Sequence, residues 1–251
     1  MAMNLIEMLR QSRHTVAFTG AGVSTLSGIR DFRGTGGFYT SSYHGMQVEE
    51  LLSIELFHRD PSLFYAWARE FVYVLDRFSP SVVHAVLARL ESRGMLRTLY
   101  TQNIDMLHRK AGSVNVHEVH GSPLQHHCIS CHAVHPYEQV VPAVLAGKVP
   151  RCTACGGVVK PDIVFYGEQL DARLLDRAYR EMAEADLTLV LGSSLTVQPA
   201  ASLPMATYYH GGKLVIINAQ PTPLDKFAKL RLEDLKESFE EISGWLDAHH
   251  E

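Results

Sequence analysis

No stretch of about 20 apolar residues interrupts this 251-residue chain, so no membrane-spanning helix is expected. There is no basic excess either: Lys plus Arg is 23, Asp plus Glu is 27, and the formal charge is -4. That balance argues against nucleic acid or an anionic membrane as a partner. No internal repeat and no low-complexity tract is visible, which excludes a solenoid and a long linker. The opening residues carry no basic lead, and Glu7 breaks a short apolar run that reads as an amphipathic helix rather than a signal peptide. The expected compartment is the cytoplasm. Cysteine is scarce, at four residues, and structural disulfides are rare in that compartment.

What is present is ordinary globular material, 46% hydrophobic and 20% charged. Short β-branched runs alternate with helical periods, the pattern of βαβ units around a largely parallel sheet. Strands are expected over residues 15–19, 97–101, 115–119, 163–165, 187–191 and 213–218. Helices are expected over 4–12, 61–77, 81–93, 171–185, 200–209 and 232–248. Residues 33–53 read as a long Gly/Ser/Tyr-rich loop, suited to a lid over a ligand or to a plain surface loop. Residues 125–158 look like an insert.

The insert carries every cysteine. Cys128-x2-Cys131 and Cys152-x2-Cys155 are 20 residues apart, the spacing of a two-knuckle zinc site. Four thiolates close a tetrahedron and leave no open position, so such a zinc is structural. Gly156 and Gly157 would allow a tight backbone near the metal. The run Cys128-Ile-Ser-Cys131-His132 also matches a haem-attachment motif, but that reading leaves the second cysteine pair unexplained. His126, His127, His132 and His135 are not needed as ligands and are expected at the surface.

A strand runs into Gly20-Ala21-Gly22-Val23-Ser24-Thr25, a turn that could bring backbone N–H groups to a pyrophosphate. The full dinucleotide fingerprint would place Gly at 25, where Thr stands, so taken alone this is an ordinary βα turn as readily as a ligand loop. Asp31, Phe32 and Arg33 follow, and Arg33 could grip a phosphate with two hydrogen bonds. Polar clusters also follow other strand ends: Gln102, Asn103, Ile104 and Asp105; His120; Gly192, Ser193 and Ser194; Asn218 and Ala219. Ligands bind beyond the carboxyl ends of strands in open α/β sheets, so these clusters could share one crevice. A neutral imidazole at residue 120 could serve as a general base near pH 7.

Taken in order, Gly20 to Arg33, Thr101 to Asp105, His120-Gly121, the two cysteine pairs, Val159-Lys-Pro-Asp-Ile-Val-Phe-Tyr-Gly-Glu168 and Gly192-Ser-Ser194 resemble the sirtuin family, of bacterial or archaeal type. The resemblance implies an NAD-dependent protein-lysine deacetylase, with NAD and zinc as cofactors and acetyl-lysine proteins or peptides as partners. It implies an α/β fold: a Rossmann-like parallel sheet domain (residues 1–33, 80–124 and 159–251) with a small zinc-binding insert module (125–158). Residues 34–79 would supply the cofactor loop and helices of the small domain. By matching positions, Gly20, Ala21, Gly22, Thr25 and Arg33 would face the pyrophosphate. Gly192, Ser193, Ser194, Asn218 and Ala219 would line the adenosine half. Asp31, Phe32, Asn103, Ile104 and Asp105 would surround the nicotinamide ribose and carboxamide. Gln102 would hold the ribose hydroxyls near His120; His120 and Asn103 would be catalytic. Val164, Phe165 and Tyr166 would border the substrate, and Cys128, Cys131, Cys152 and Cys155 would hold zinc. Three departures stand out: Arg30 where the family usually has Pro, Gln220 where many members have an acidic residue, and Ala68 and Phe71 where members that prefer succinyl or malonyl groups carry Tyr and Arg, which implies a neutral acyl group such as acetyl. Two other readings compete, a mono-ADP-ribosyltransferase and a non-catalytic zinc-stabilised binding module; the intact Asn103, Asp105 and His120 favour the deacetylase.

Overall fold

The computed structural model describes residues 4–31, 37 and 42–249. Among the described residues nine strands form two sheets: β1 (Thr15–Thr19), β2 (Thr98–Thr101), β3 (Val116–Glu118), β4 (Gly121–Cys128), β5 (Val134–Pro136), β6 (Val159–Ile163), β7 (Leu187–Leu191), β8 (Lys213–Ile217) and β9 (Leu230–Leu232). Among the described residues the helices are α1 (Leu5–Gln11), α2 (Gly22–Thr25), α3 (Val48–Leu51), α4 (Ile54–Arg59), α5 (Pro61–Phe71), α6 (Val82–Ser92), α7 (Leu107–Lys110), α8 (Tyr137–Leu145), α9 (Ala172–Glu184), α10 (Met205–Tyr209) and α11 (Leu235–Ala248).

The larger sheet has the order β3-β2-β1-β7-β8-β9 and is parallel throughout. Strands β1 and β7 are buried along their whole length, as apolar runs covered on both faces require. One face packs against α1, α6 and α11 through Leu9, Leu87, Phe239 and Ile242; the other packs against α9 and α10 through Ala178, Met182 and Ala206. The chain leaves β1 toward β2 and β3, then returns to build β7, β8 and β9 on the opposite side. That reversal makes the gap between the ends of β1 and β7 a topological switch point.

The second sheet, β5-β4-β6, is antiparallel, with a register irregularity in β4 between Ser122 and His126. It packs with α3, α4, α5 and α8 around an aromatic core of Phe57, Phe64, Tyr65, Trp67, Tyr73 and Phe165. Tyr65 ties α5 to this sheet by donating its hydroxyl to Val159 O.

Several sequence expectations shift. The strand expected at 163–165 starts four residues earlier and ends two earlier, at Val159–Ile163, and belongs to the antiparallel sheet. Pro161 is tolerated because β6 is an edge strand. Residues 61–77 do not form one helix: α5 stops at Phe71 and a 3-10 turn covers Leu75–Arg77. Residues 200–209 divide at Pro204, and residues 230–232, partly assigned to the last helix, form β9 before Asp234 caps α11. The expected loop is structured from Tyr43 onward by a bridge to Met46 and by α3; its residues 33–36 and 38–41 lie outside the described residues. No helix among the described residues is long and apolar enough to cross a membrane.

Candidate functional site

The switch point is closed by glycine on glycine. A Cβ on Gly20 would meet Gly192 O at 2.7 Å, and one on Gly22 would meet Gly192 Cα at 2.7 Å. Gly192 has φ +59, and its own Cβ would fall 2.6 Å from Val23 N. Gly22 N–H donates to Gly192 O at 2.8 Å, and Gly20 N–H donates to Leu191 O at 2.9 Å. The glycines after β1 and β7 are therefore required by backbone packing against each other, a reason the sequence does not reveal. Their close approach forms the floor of a cleft.

That cleft has a volume of about 1310 Å³. A pocket for one small ligand is usually about 300–1,000 Å³, so this one has room for a second. Gly20, Ala21, Gly22, Thr25 and Asp31 line it from the β1 side; Gln102, Asn103, Ile104 and Asp105 from the end of β2; His120 from the end of β3. Gly192, Ser193, Ser194, Asn218 and Ala219 line it from the ends of β7 and β8, and Val164, Phe165 and Tyr166 from the segment after β6. Phe32 and Arg33 lie outside the described residues. Of the departures, Arg30, Gln220 and Phe71 line the cleft.

Asn103 and Asp105 are buried and held by one hydroxyl. Asn103 Nδ2 donates to Gly20 O at 3.0 Å and to Ser24 Oγ at 3.1 Å. Ser24 Oγ donates in turn to Asp105 Oδ2 at 2.5 Å, and Asp105 Oδ1 accepts Leu107 N–H at 2.9 Å. With both amide protons of Asn103 committed, its remaining offer to a ligand is an acceptor oxygen. Burial raises the Asp105 carboxyl above its ordinary value, opposed by the Ser24 and Leu107 hydrogen bonds. Gln102 reaches across the floor, Nε2 to Ser193 Oγ at 2.7 Å, joining the β2 end to the β7 end.

His120 lies 3.0 Å through Nδ1 from Gln102 O. A carbonyl only accepts, so Nδ1 carries the proton and Nε2 keeps its lone pair. Burial lowers this imidazole below the ordinary 6.5, opposed by the Gln102 hydrogen bond. At neutral pH it is an uncharged base with its acceptor nitrogen unblocked by that bond. His120 O accepts Val164 N–H at 2.9 Å, so the base and the segment after β6 are tied together.

The four cysteine sulfurs lie within 4.8 Å of one another. Cys128 and Cys155 are 3.4 Å apart, and Cys131 and Cys152 are 3.6 Å apart. A disulfide would be about 2.05 Å and the edge of a zinc-thiolate tetrahedron about 3.8 Å, so the set fits a four-thiolate zinc. Backbone N–H groups of Ser130, Ala154 and Gly157 reach Cys128, Cys152 and Cys155 at 3.4 Å. A side chain at Gly157 would strike Ser130 Oγ at 2.7 Å. The haem reading fails here, because the second pair completes the first and His132 is exposed. The surface expectation for the histidines fails for two: His126 and His135 are buried.

The sequence reading missed Ser24, whose hydroxyl organises Asn103 and Asp105; a serine opening a helix reads as a cap. It also missed Trp67, which lines the cleft from α5 beside Phe71, a position the family resemblance already marks. Aromatics at helical spacing read as core, and periodicity alone does not separate the two. Glu233, Asp234 and Lys236, before and at the start of α11, line the far end.

The Sir2 family profile matches residues 20–199. An NAD-dependent protein deacetylase of Thermotoga maritima is 41% identical over 226 residues, 90% of each chain. A solved Sir2–p53 peptide–NAD+ complex superposes with TM-score 0.89 at 38% identity, covering 99% of this chain and 100% of that one. A Sir2 solved with an inhibitor, 2′-O-acetyl-ADP-ribose and a deacetylated p53 peptide has TM-score 0.83 at 37% identity, covering 97% and 96%. With its switch-point cleft, its buried Asn103 and Asp105, its His120 and its four-cysteine module in the order that family shares, this chain belongs to the Sir2 family.

Proposed function

We propose that the chain is an NAD-dependent protein-lysine deacetylase that moves an acetyl group from lysine to ADP-ribose, releasing nicotinamide and free lysine. One observation carries the reading: a single cleft holds the nucleotide side of the switch point and the segment after β6, with His120 bonded to both. The relatives named as deacetylases, and the Sir2 structures with NAD+ or acetyl-ADP-ribose, support it.

The donor set fits NAD. Backbone at Gly20, Ala21 and Gly22 flanks the pyrophosphate side, and Ser193, Ser194, Asn218 and Ala219 the adenosine side. When bound, NAD supplies an electrophilic ribose carbon and nicotinamide as leaving group. Asn103 and Asp105, fixed through Ser24, orient the nicotinamide end. His120 Nε2 would accept a proton from a ribose hydroxyl of bound NAD, since burial keeps the ring uncharged near neutral pH. Val164, Phe165 and Tyr166 border the acetyl-lysine peptide through side chains and carbonyl oxygens, since their N–H groups are already given to His120 O, Glu168 Oε2 and Leu52 O. Zinc, held by four thiolates with no open position, braces the module and takes no part in the chemistry.

We assign residues 1–33, 80–124 and 159–251 to the nucleotide, 34–79 to the lid and helices and 125–158 to the metal, except that 121–124 and 159–163 lie in the antiparallel sheet and go with the small lobe. Four unpaired thiols suit a reducing compartment, and we place the protein in the cytoplasm. The test is incubation with NAD and an acetyl-lysine peptide, with all products followed by mass spectrometry. Equal amounts of deacetylated peptide, nicotinamide and O-acetyl-ADP-ribose are expected. ADP-ribose attached to protein, or no NAD consumption by folded, zinc-loaded protein, overturns the proposal.

A further inference from the structure

The metal module holds more buried imidazole than four thiolates need. His135, on β5, is 5% exposed, and its Nε2 lies 3.3 Å from Cys152 Sγ. Cys128, Cys152 and Cys155 all accept backbone N–H groups, and Cys152 faces the His135 imidazole as well. Among the described residues, His135 is the one side chain outside the cysteines hydrogen-bonded to a cysteine sulfur. A metal-bound thiolate only accepts, so Nε2 carries the proton.

The imidazole is held from behind. His135 pairs with His126 across the β4–β5 register, and His126 Nε2 is 2.7 Å from Tyr73 Oη. Tyr73 stacks on Tyr137, two residues beyond His135, at 5.8 Å and 4°. The backbone of His135 is thus fixed by β-pairing beside a packed His126–Tyr73–Tyr137 group.

Zinc with four thiolates carries a net charge of about -2 by the count of its ligands, and Cys128 and Cys152 put half of that sulfur in the core. Buried charge needs hydrogen-bond donors. Partners beyond the ligands commonly change metal affinity by about 10–100-fold. We propose that His135 is a positioning residue for the zinc: its Nε2–H bond to Cys152 withdraws charge from that thiolate, slows metal loss and protects the sulfur from electrophiles. The inference rests on the zinc reading of the four cysteines and not on the deacetylase reading.

The test compares zinc-loaded wild type with His135→Phe, which removes the donor, and His135→Gln, which keeps an N–H. Zinc transfer to a chromogenic chelator is timed, and the cobalt-substituted proteins are examined for their sulfur-to-metal charge-transfer band. His135→Phe should release zinc at least about 10-fold faster, with the band moved to lower energy, and His135→Gln should restore both. Equal release from all three overturns the proposal, and so does a His135→Gln protein as fast as His135→Phe, which would assign the effect to ring packing. Should His135→Phe fail to fold, the cadmium-loaded wild type carries the test: a slowly exchanging imidazole Nε2–H coupled to the metal is expected, and its absence refutes the bond. Wild type that holds no zinc overturns the metal reading itself, independently of any deacetylase result.

Discussion

Acidification from pH 7 to pH 5 should cost this fold about 2 kcal/mol through one side chain, His84. It sits fully buried at the third position of α6, where its Nδ1 accepts Ser81 N–H at 3.1 Å. A proton on Nδ1 would face that donor, and the ring of His108, centred 4.5 Å away, offers no counter-charge. Burial lowers the His84 imidazole from 6.5 to about 4. The folded value lies below the unfolded one, so as pH falls below 6.5 the unfolded chain takes the proton first. Stability is whole above 6.5 and is lost progressively down to about 4. At about 1.36 kcal/mol per unit, the 2.5-unit interval is worth about 3 kcal/mol in full and about 2 kcal/mol by pH 5. Against a typical total of about 5–15 kcal/mol that is a large share. His84→Gln keeps an acceptor for Ser81 N–H, the usual arrangement of a capping box, and does not titrate. Urea unfolding of both proteins at the two pH values isolates the effect, because any packing cost of the substitution cancels in the difference. Glutamine should lose about 2 kcal/mol less than wild type. Equal losses would refute the reasoning.

Replacing His120 by Ala should lower kcat by about 10²–10⁴-fold while NAD binding, measured by calorimetry, changes little. In the wild type, kcat/KM should rise with pH through a midpoint below 6.5, since the neutral imidazole is the active form and burial depresses it; a midpoint above 6.5 would contradict the assignment. Gly22→Ala forces the β1 and β7 loops apart, because its Cβ would sit 2.7 Å from Gly192 Cα; a loss of about 1–3 kcal/mol in chemical unfolding is expected. Cys152→Ser should lose stoichiometric zinc by elemental analysis and expose residues 125–158 to limited proteolysis; retained zinc with unchanged protection would sink the four-thiolate site.

The parallel sheet was legible because β1, β7 and β8 are buried on both faces and can only be apolar and β-branched. The cysteine module was legible because metal geometry constrains spacing. Strand β4 was not: Gly121-Ser-Pro-Leu-Gln-His-His-Cys128 lacks strand-forming composition and is extended because β5 and β6 pair with it on either side. His126 and His135 were unreadable as core for a related reason. Their burial depends on Tyr73 and Cys152 supplying partners from distant segments. Ser24 shows the same limit within the cleft, where a local cap and a long-range bridge have identical sequence signatures.

One connection between the two sheets has a mechanical consequence. His120 is followed at once by Gly121, whose φ of +74 starts β4 and whose missing Cβ would lie 1.9 Å from Asp162 O. A second crossing, after β6, is pinned to this one by Val164 N–H on His120 O. Swinging the antiparallel sheet away from the parallel one therefore cranks the base and the peptide edge together, on a shared axle. Enlarging the small lobe for a bulkier acyl chain re-aims His120 unless both crossings shift as one. A small molecule wedged between the sheets would disarm the base without touching it.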